Sequence, residues 1–237
     1  MNRIDGRKFD QLRPVKLTPN FTKFAEGCCL IEMGSTVVLC TASVEDKVPP
    51  HVMQGGWITA EYSMLPRANR QRSPRDISKL KLSGRSAEIQ RLIGRSLRSA
   101  ADLNALGERT ITIDCDVLQG DGGTRTASVT GGFLALALAC QRLVEQGLLE
   151  KMPLTTCVSG ISAGIVDDEP LLDLCYAEDS RAMVDMNCVM TADGRIIELQ
   201  ATGEGRPYTQ EEQQRLLALC EKGNRELCRV LQQYVTL

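Results

Sequence analysis

Apolar and polar positions alternate through much of this chain, and helical spacing takes over in three later stretches. Residues 24–32 and 36–44 are apolar and β-rich on either side of Met33-Gly34-Ser35, which predicts a hairpin. Gly56 to Tyr62 predicts a further strand, and Glu108 to Val117 another, through Thr110, Ile111, Thr112 and Ile113. Between them, Ser83 is placed to cap a helix whose apolar face is Ile89, Leu92, Ile93, Leu97 and Ala100. Ala127 to Gly147 is rich in Ala, Leu and Val, long enough for a buried helix. Its interior Gly131-Gly132 predicts close approach by a neighbouring element. Strand patterns return at residues 155–165, 171–176, 182–190 and 196–201, the last two flanking an Asp193-Gly194 hairpin turn. Thr209 to Glu212 is a capping box that opens a final amphipathic helix. Residues 1–20, polar and broken by Pro14 and Pro19, read as an extended arm or edge segment. Strands followed by a helix, twice over, imply an α+β chain with an internal duplication, approximately 1–150 and 151–237.

Composition narrows the functional classes. The chain of 237 residues is 43% hydrophobic and 24% charged, ordinary for a globular protein. Aromatics are only 4%, which argues against stacking on several exposed rings as the main mode of binding. The ten cysteines are scattered, several lie inside apolar runs, and no signal peptide precedes them, so they are expected to be reduced in a cytoplasmic protein. With one histidine and no C-x-x-C pair, a zinc site is not expected. No apolar run is expected to reach the length of a membrane span.

Chemistry concentrates first at Asp116 to Ser128, where three glycines, Thr124 and Arg125 lie between a predicted strand and a predicted helix. Glycines allow close backbone approach, and a helix start offers unpaired N–H donors with a positive dipole end. Thr124 adds a hydroxyl and Arg125 a planar cation, so the turn reads as a phosphate-sized anion site; a plain strand-to-helix turn with a solvated Arg is the alternative.

Charge changes the picture next. The chain's formal net charge is −2, but residues 67–98 alone carry +8. The strip comprises a Pro-containing loop (Arg67, Arg70, Arg72, Arg75, Lys79, Lys81) and a helix bearing Arg85, Arg91, Arg95 and Arg98. Like charges crowd at a cost, so a counter-charge is expected: a phosphate backbone, the acidic face of a partner subunit, or solvent alone. Arg85 sits in the first helical turn, where the dipole disfavours a cation unless an anion joins it.

Acidic residues concentrate in the second half. Most read as solvated turn residues, but Asp185 lies in an apolar run, where an unpaired carboxylate is costly. Asp179 is six positions earlier, on the same face if the strand is continuous. Such a pair suits Mg²⁺; the alternative is a structural Asp bonded to backbone or to an Arg such as Arg181. Neither a Walker A ending nor a G-x-S-x-G turn occurs. An anion turn, a basic strip and paired carboxylates fit a reaction in which phosphate is itself the nucleophile, catalysed by positioning and charge neutralisation.

The residues also resemble a family. Asp5-Gly6-Arg7 with Arg13-Pro14-Val15, residues 56–62, Met64-Leu65-Pro66-Arg67, Gly84-Arg85, residues 88–95, Asp116 to Ser128, Glu178-Asp179-Ser180 and Asp185-Met186-Asn187 are together similar to ribonuclease PH, the phosphate-dependent 3′-to-5′ exoribonuclease family of tRNA maturation. The resemblance implies a duplicated RNase PH-type α+β domain (ribosomal protein S5 domain 2-like), with mixed sheets and packed helices. It implies a hexameric ring built as a trimer of dimers, with tRNA precursors and other RNA 3′ ends as partners. It places phosphate on Arg85, Gly123, Thr124 and Arg125, catalysis and Mg²⁺ on Asp179 and Asp185, and the tRNA acceptor stem on Arg67, Arg70, Arg72 and Arg75. Inorganic phosphate would be the co-substrate and nucleoside diphosphates the products. Cys175 departs from the family, where an acid is frequent. A catalytically silent RNA-binding ring subunit of the same fold, or a hydrolytic nuclease, are the competing expectations.

Overall fold

A computed structural model describes residues 3–75 and 83–236 of the chain. The described residues form two sheets and four helices, three of the helices where the apolar pattern predicts them. The first sheet holds β1 (Val15–Pro19), β2 (Gly27–Met33), β3 (Thr36–Glu45), β4 (Trp57–Met64) and β5 (Thr110–Gln119), in the spatial order β1-β2-β3-β5-β4. Its pairings are antiparallel except β4 with β5, whose parallel register is reached through helix α1 (Gly84–Arg98). Ser83 caps α1 through its side chain, as its sequence position predicts. The second sheet, order β7-β6-β8-β9, holds β6 (Val158–Val166), β7 (Glu169–Leu172), β8 (Val184–Thr191) and β9 (Ile196–Gly203), all antiparallel.

Helix α2 (Thr124–Glu145) lies between the sheets and packs on both. A Cβ on Gly131 would sit 2.6 Å from Ile31 Cγ2, and one on Gly160 of β6 would sit 3.2 Å from the α2 backbone at Thr126. Small residues thus let both sheets approach one helix closely, at the expense of helix propensity. The 22 residues of α2, with mean hydropathy 1.4 over its most apolar window, are long and apolar enough to cross a membrane, contrary to expectation. Most of that window is buried inside the protein, so its apolarity serves the core. Helix α4 (Gln210–Leu231) covers the second sheet behind the predicted capping box: Thr209 Oγ1 accepts from Glu212 N–H, and the Glu212 carboxylate accepts from Thr209 N–H. All ten cysteines are free.

The expected course of the chain between residues 171 and 185 needs correction. Asp179 and Asp185 do not share a strand. The strand predicted over 171–176 ends at Leu172; Asp173 adopts φ +55°, and the chain turns into a single helical turn, α3 (Tyr176–Asp179), before β8 begins at Val184. The arm at residues 3–14 leads into an edge strand, as predicted, and its Arg3, Arg7 and Arg13 are buried. Lys79 and Lys81 of the basic strip lie outside the described residues.

Candidate active site

The turn from β5 into α2 is built for close backbone approach. Gly122 and Gly123 have φ +78° and +65°, and a Cβ on Gly122 would meet the Leu174 carbonyl at 2.5 Å. The carbonyls of the turn are occupied. Arg13 donates to Asp121 O at 2.6 Å, Thr36 Oγ1 to Gly122 O at 2.7 Å and Thr126 Oγ1 to Gly123 O at 2.9 Å. The first intrahelical bond of α2 runs from Ala127 N–H to Gly123 O, so the N–H groups of residues 124–126 precede the helical ladder, at the positive end of a long dipole.

Side chains from four elements converge on that helix start. Thr124 is buried, and its Oγ1 lies 2.9 Å from Oη of the buried Tyr62 on β4. Arg125 donates to Gln200 Oε1 on β9 at 2.8 Å and lies 3.7 Å from Glu88 Oε1 on α1; Gln200 in turn donates to Glu88. Arg85, in the first turn of α1, is close enough that its charge acts on both Tyr62 and Asp179. The predicted anion ligands Arg85, Gly123, Thr124 and Arg125 are therefore brought together.

The carboxylate pair meets them by a route the sequence did not reveal. Asp179, at the end of α3, and Asp185, near the start of β8, are coupled electrostatically to each other and to Arg125. Burial, and after it the Asp179 charge, raise the Asp185 carboxyl to about 6, against Arg125 and a hydrogen bond donated by Asn187 Nδ2. Burial also raises Asp179, against the charges of Arg85, Arg125 and Arg13. Asp185, Arg125, Gln200 and Glu204 line a cleft of about 490 Å³. Among the described residues no group of three or more His, Cys, Asp or Glu side chains is arranged to hold a metal. The two carboxylates alone fit Mg²⁺ nonetheless. They are hard oxygen donors, Asp185 half-buried and Asp179 exposed, whose charges oppose one another, and Mg²⁺ binds through one or two carboxylates plus substrate oxygens.

The loop arginines Arg67, Arg70, Arg72 and Arg75 are all exposed. The loop is tied to the anion turn by Gly120 N–H donating to Ala68 O at 2.9 Å. Arg91, Arg95 and Arg98 line one cleft, as their spacing predicts, but two are engaged within the protein. Arg98 lies 4.3 Å over the Trp57 ring and donates to Ile58 O, and Arg95 pairs with Glu198.

A buried ion network escaped the sequence reading. Arg3 makes paired hydrogen bonds to Glu178 at 2.8 and 2.6 Å, and Arg13 to Asp173 at 3.1 and 2.7 Å. Arg3 also donates to the carbonyls of Leu172 and Asp173. These bonds hold the anion turn and α3 against the arm. Asp173, flanked by Leu172 and Leu174, carried the same signal that singled out Asp185: an acid inside an apolar run. Burial would raise the Glu178 carboxyl, but Arg3, Cys175 N–H and Arg7 together hold it below the usual range.

Residues 11–140 match the 3′ exoribonuclease family, domain 1, and residues 156–223 match domain 2 of the same family. The chain belongs to the RNase PH (3′ exoribonuclease) family. Its two-domain α+β fold is that of exosome core structures. The Archaeoglobus fulgidus exosome with RNA bound to the active site contains a chain with TM-score 0.82 and 24% identity, over 97% of this chain and 92% of that one. An archaeal exosome core gives TM-score 0.77 at 23% identity, over 98% and 91%. Rice (Oryza sativa) Rrp46 gives 0.74 at 20%, over 98% and 97%. In family terms the candidate site draws on both domains: Arg85, Thr124 and Arg125 come from domain 1, and Asp179, Asp185 and Gln200 from domain 2.

The Tyr62 contact has a measurable consequence. Tyr62→Phe leaves Thr124 Oγ1 without its fixed partner, a loss of about 1 kcal/mol. Affinity for inorganic phosphate, read by calorimetric titration, is expected to fall roughly fivefold. Unchanged affinity would show that the Thr124 hydroxyl does not engage the anion.

Proposed function

We propose that the chain is a phosphorolytic 3′-to-5′ exoribonuclease that trims extra nucleotides from tRNA precursor 3′ ends. The carrying observation is the convergence of Arg85, Thr124 and Arg125 on a helix start that also faces the Asp179/Asp185 pair. Family membership supports the reaction class. In this reading, Arg125 is held by Gln200 and Glu88 so that its remaining donors face the cleft, and with Arg85, Thr124 and the Gly123 backbone it fixes inorganic phosphate. A phosphate oxygen attacks the phosphorus of the terminal phosphodiester. That P–O bond forms as the bond to the penultimate 3′-oxygen breaks, and the proton carried by the phosphate passes to the departing 3′-hydroxyl. One diphosphate linkage replaces one phosphodiester, so the reaction is reversible. Arg85 and Arg125 offset the charge of two anions brought together. Asp179 and Asp185 would hold Mg²⁺, which when bound neutralises charge on the non-bridging oxygens.

Arg67, Arg70, Arg72 and Arg75 take the tRNA acceptor stem in this account. The enzyme acts in the cytoplasm as a homohexamer, a trimer of dimers. The test is a tRNA carrying extra 3′ nucleotides, incubated with Mg²⁺ with and without phosphate. Nucleoside diphosphates only with phosphate are expected. Monophosphates without phosphate would mean hydrolysis, and no product in either arm would mean an RNA-binding subunit without catalysis.

A further inference from the structure

Distinct from the cleft at Asp185 is a second, larger groove of about 930 Å³, of whose lining only Arg70 has been given a ligand above, the acceptor stem. Its walls come from four separated segments: Ile4 of the arm, Asn69 and Arg70 of the basic loop, Asp121 of the anion turn, and Tyr176 and Ser180 at α3. Tyr176 is 57% exposed, an aromatic ring presented to the groove rather than packed in the core. Its position is fixed by the backbone. Tyr176 N–H donates to Asp121 Oδ1 at 3.3 Å, and the Arg3–Glu178 pair anchors the same helical turn. Arg70 makes no ion pair with a described carboxylate.

We infer that this groove is a nucleobase subsite, in which Tyr176 stacks on the base of the RNA's 3′-terminal nucleotide. The inference rests on the exoribonuclease reading and adds to it the group that recognises the departing nucleotide. Three features match that ligand. A flat π-face is received by an exposed ring, and the sequence-tolerant energy of stacking suits an enzyme that removes successive different bases. Asn69, Ser180 and Asp121 offer donors and acceptors to base edges, and Arg70 a cation to a flanking phosphate. Tyr176 and Asp179 are three residues apart on one helical turn, so their side chains are neighbours. A base on Tyr176 thereby leaves its own phosphate beside the Asp179/Asp185 pair, where the attack takes place. One ring is enough for this role, in keeping with a chain poor in aromatics.

The test uses an RNA ending in 2-aminopurine, bound to the full chain with Mg²⁺ and no phosphate, alongside steady-state kinetics with phosphate on an unlabelled RNA. The terminal probe is expected to be quenched by the wild type. Tyr176→Ala should lose that quench and raise KM for RNA roughly tenfold while KM for phosphate stays unchanged. Tyr176→Phe should behave as the wild type, which separates stacking from a hydroxyl contact. An active wild type matched by Tyr176→Ala in both quench and KM overturns the subsite. Quenching by a wild type that forms no nucleoside diphosphate keeps the subsite and overturns the phosphorolytic reading instead.

Discussion

Asp185→Asn is expected to abolish nucleoside diphosphate formation and, in the same molecule, to raise thermal stability. The two effects share one cause. The Asp185 carboxyl is raised to about 6 by burial and by the neighbouring Asp179 charge. An acid whose folded value lies above its unfolded value binds its proton more tightly in the folded state. Stability is therefore lost as pH rises from the unfolded value towards about 6, and the folded state carries the full penalty at neutral pH. Asn removes that penalty at nearly constant shape, for a gain of about 1–2 kcal/mol in chelator-treated protein. The rate in Mg²⁺ and phosphate should fall by about 100-fold or more, since a preorganised charge at the reacting centre is lost. For the wild type, cation-dependent activity should rise with pH through about 6 as the pair ionises. A variant that keeps its activity would remove Asp185 from the chemistry; one that loses both activity and stability would make it a structural Asp.

Arg13→Ala is expected to be the most destabilising single change on the arm, at about 3–5 kcal/mol. It strands the Asp173 carboxylate, 1% exposed, without its paired donor, and it frees the carbonyl of Asp121. Denaturant titration reads the first effect. The second is separated by the double variant Arg13→Met/Asp173→Leu, which replaces the ion pair by apolar groups and should recover most of the stability. It should not recover phosphate affinity, because the anion turn still lacks the donor that fixes its carbonyls. Full recovery of both would make the pair structural only. Glu178 adds an acid-side signature. Its carboxyl is held below the usual range, so the stability it contributes is present near neutrality and lost as pH falls through its folded value. Arg3→Ala should blunt that acid-induced loss.

Local chemistry made much of this legible in the sequence. The helix starts at Ser83 and Thr209, the glycine turn before α2, and Gly131 with its close neighbour all follow from residue type and spacing. Asp185 was visible because an acid inside an apolar run demands a reason. The route that brings Asp179 to it was not. An even separation implied one continuous strand, whereas the chain leaves β7 at Asp173, forms one helical turn and re-enters a strand at Val184. The burial of the arm's arginines was not legible either. Arg3, Arg7 and Arg13 look like solvated charges until acids about 160 to 175 residues away are folded against them. Only the tertiary structure supplies that long-range pairing, and a polar N-terminal stretch gives no local sign of it.

In the proposed reaction inorganic phosphate attacks the RNA. Its most direct measurement is the fate of ³²P-labelled inorganic phosphate, supplied with Mg²⁺ and a tRNA bearing extra 3′ nucleotides. Label is expected in the β-phosphate of released nucleoside diphosphates, one labelled product for each nucleotide removed, and none with Arg125→Ala. Shortened RNA with unlabelled nucleoside monophosphates, and all label left as free phosphate, would contradict it.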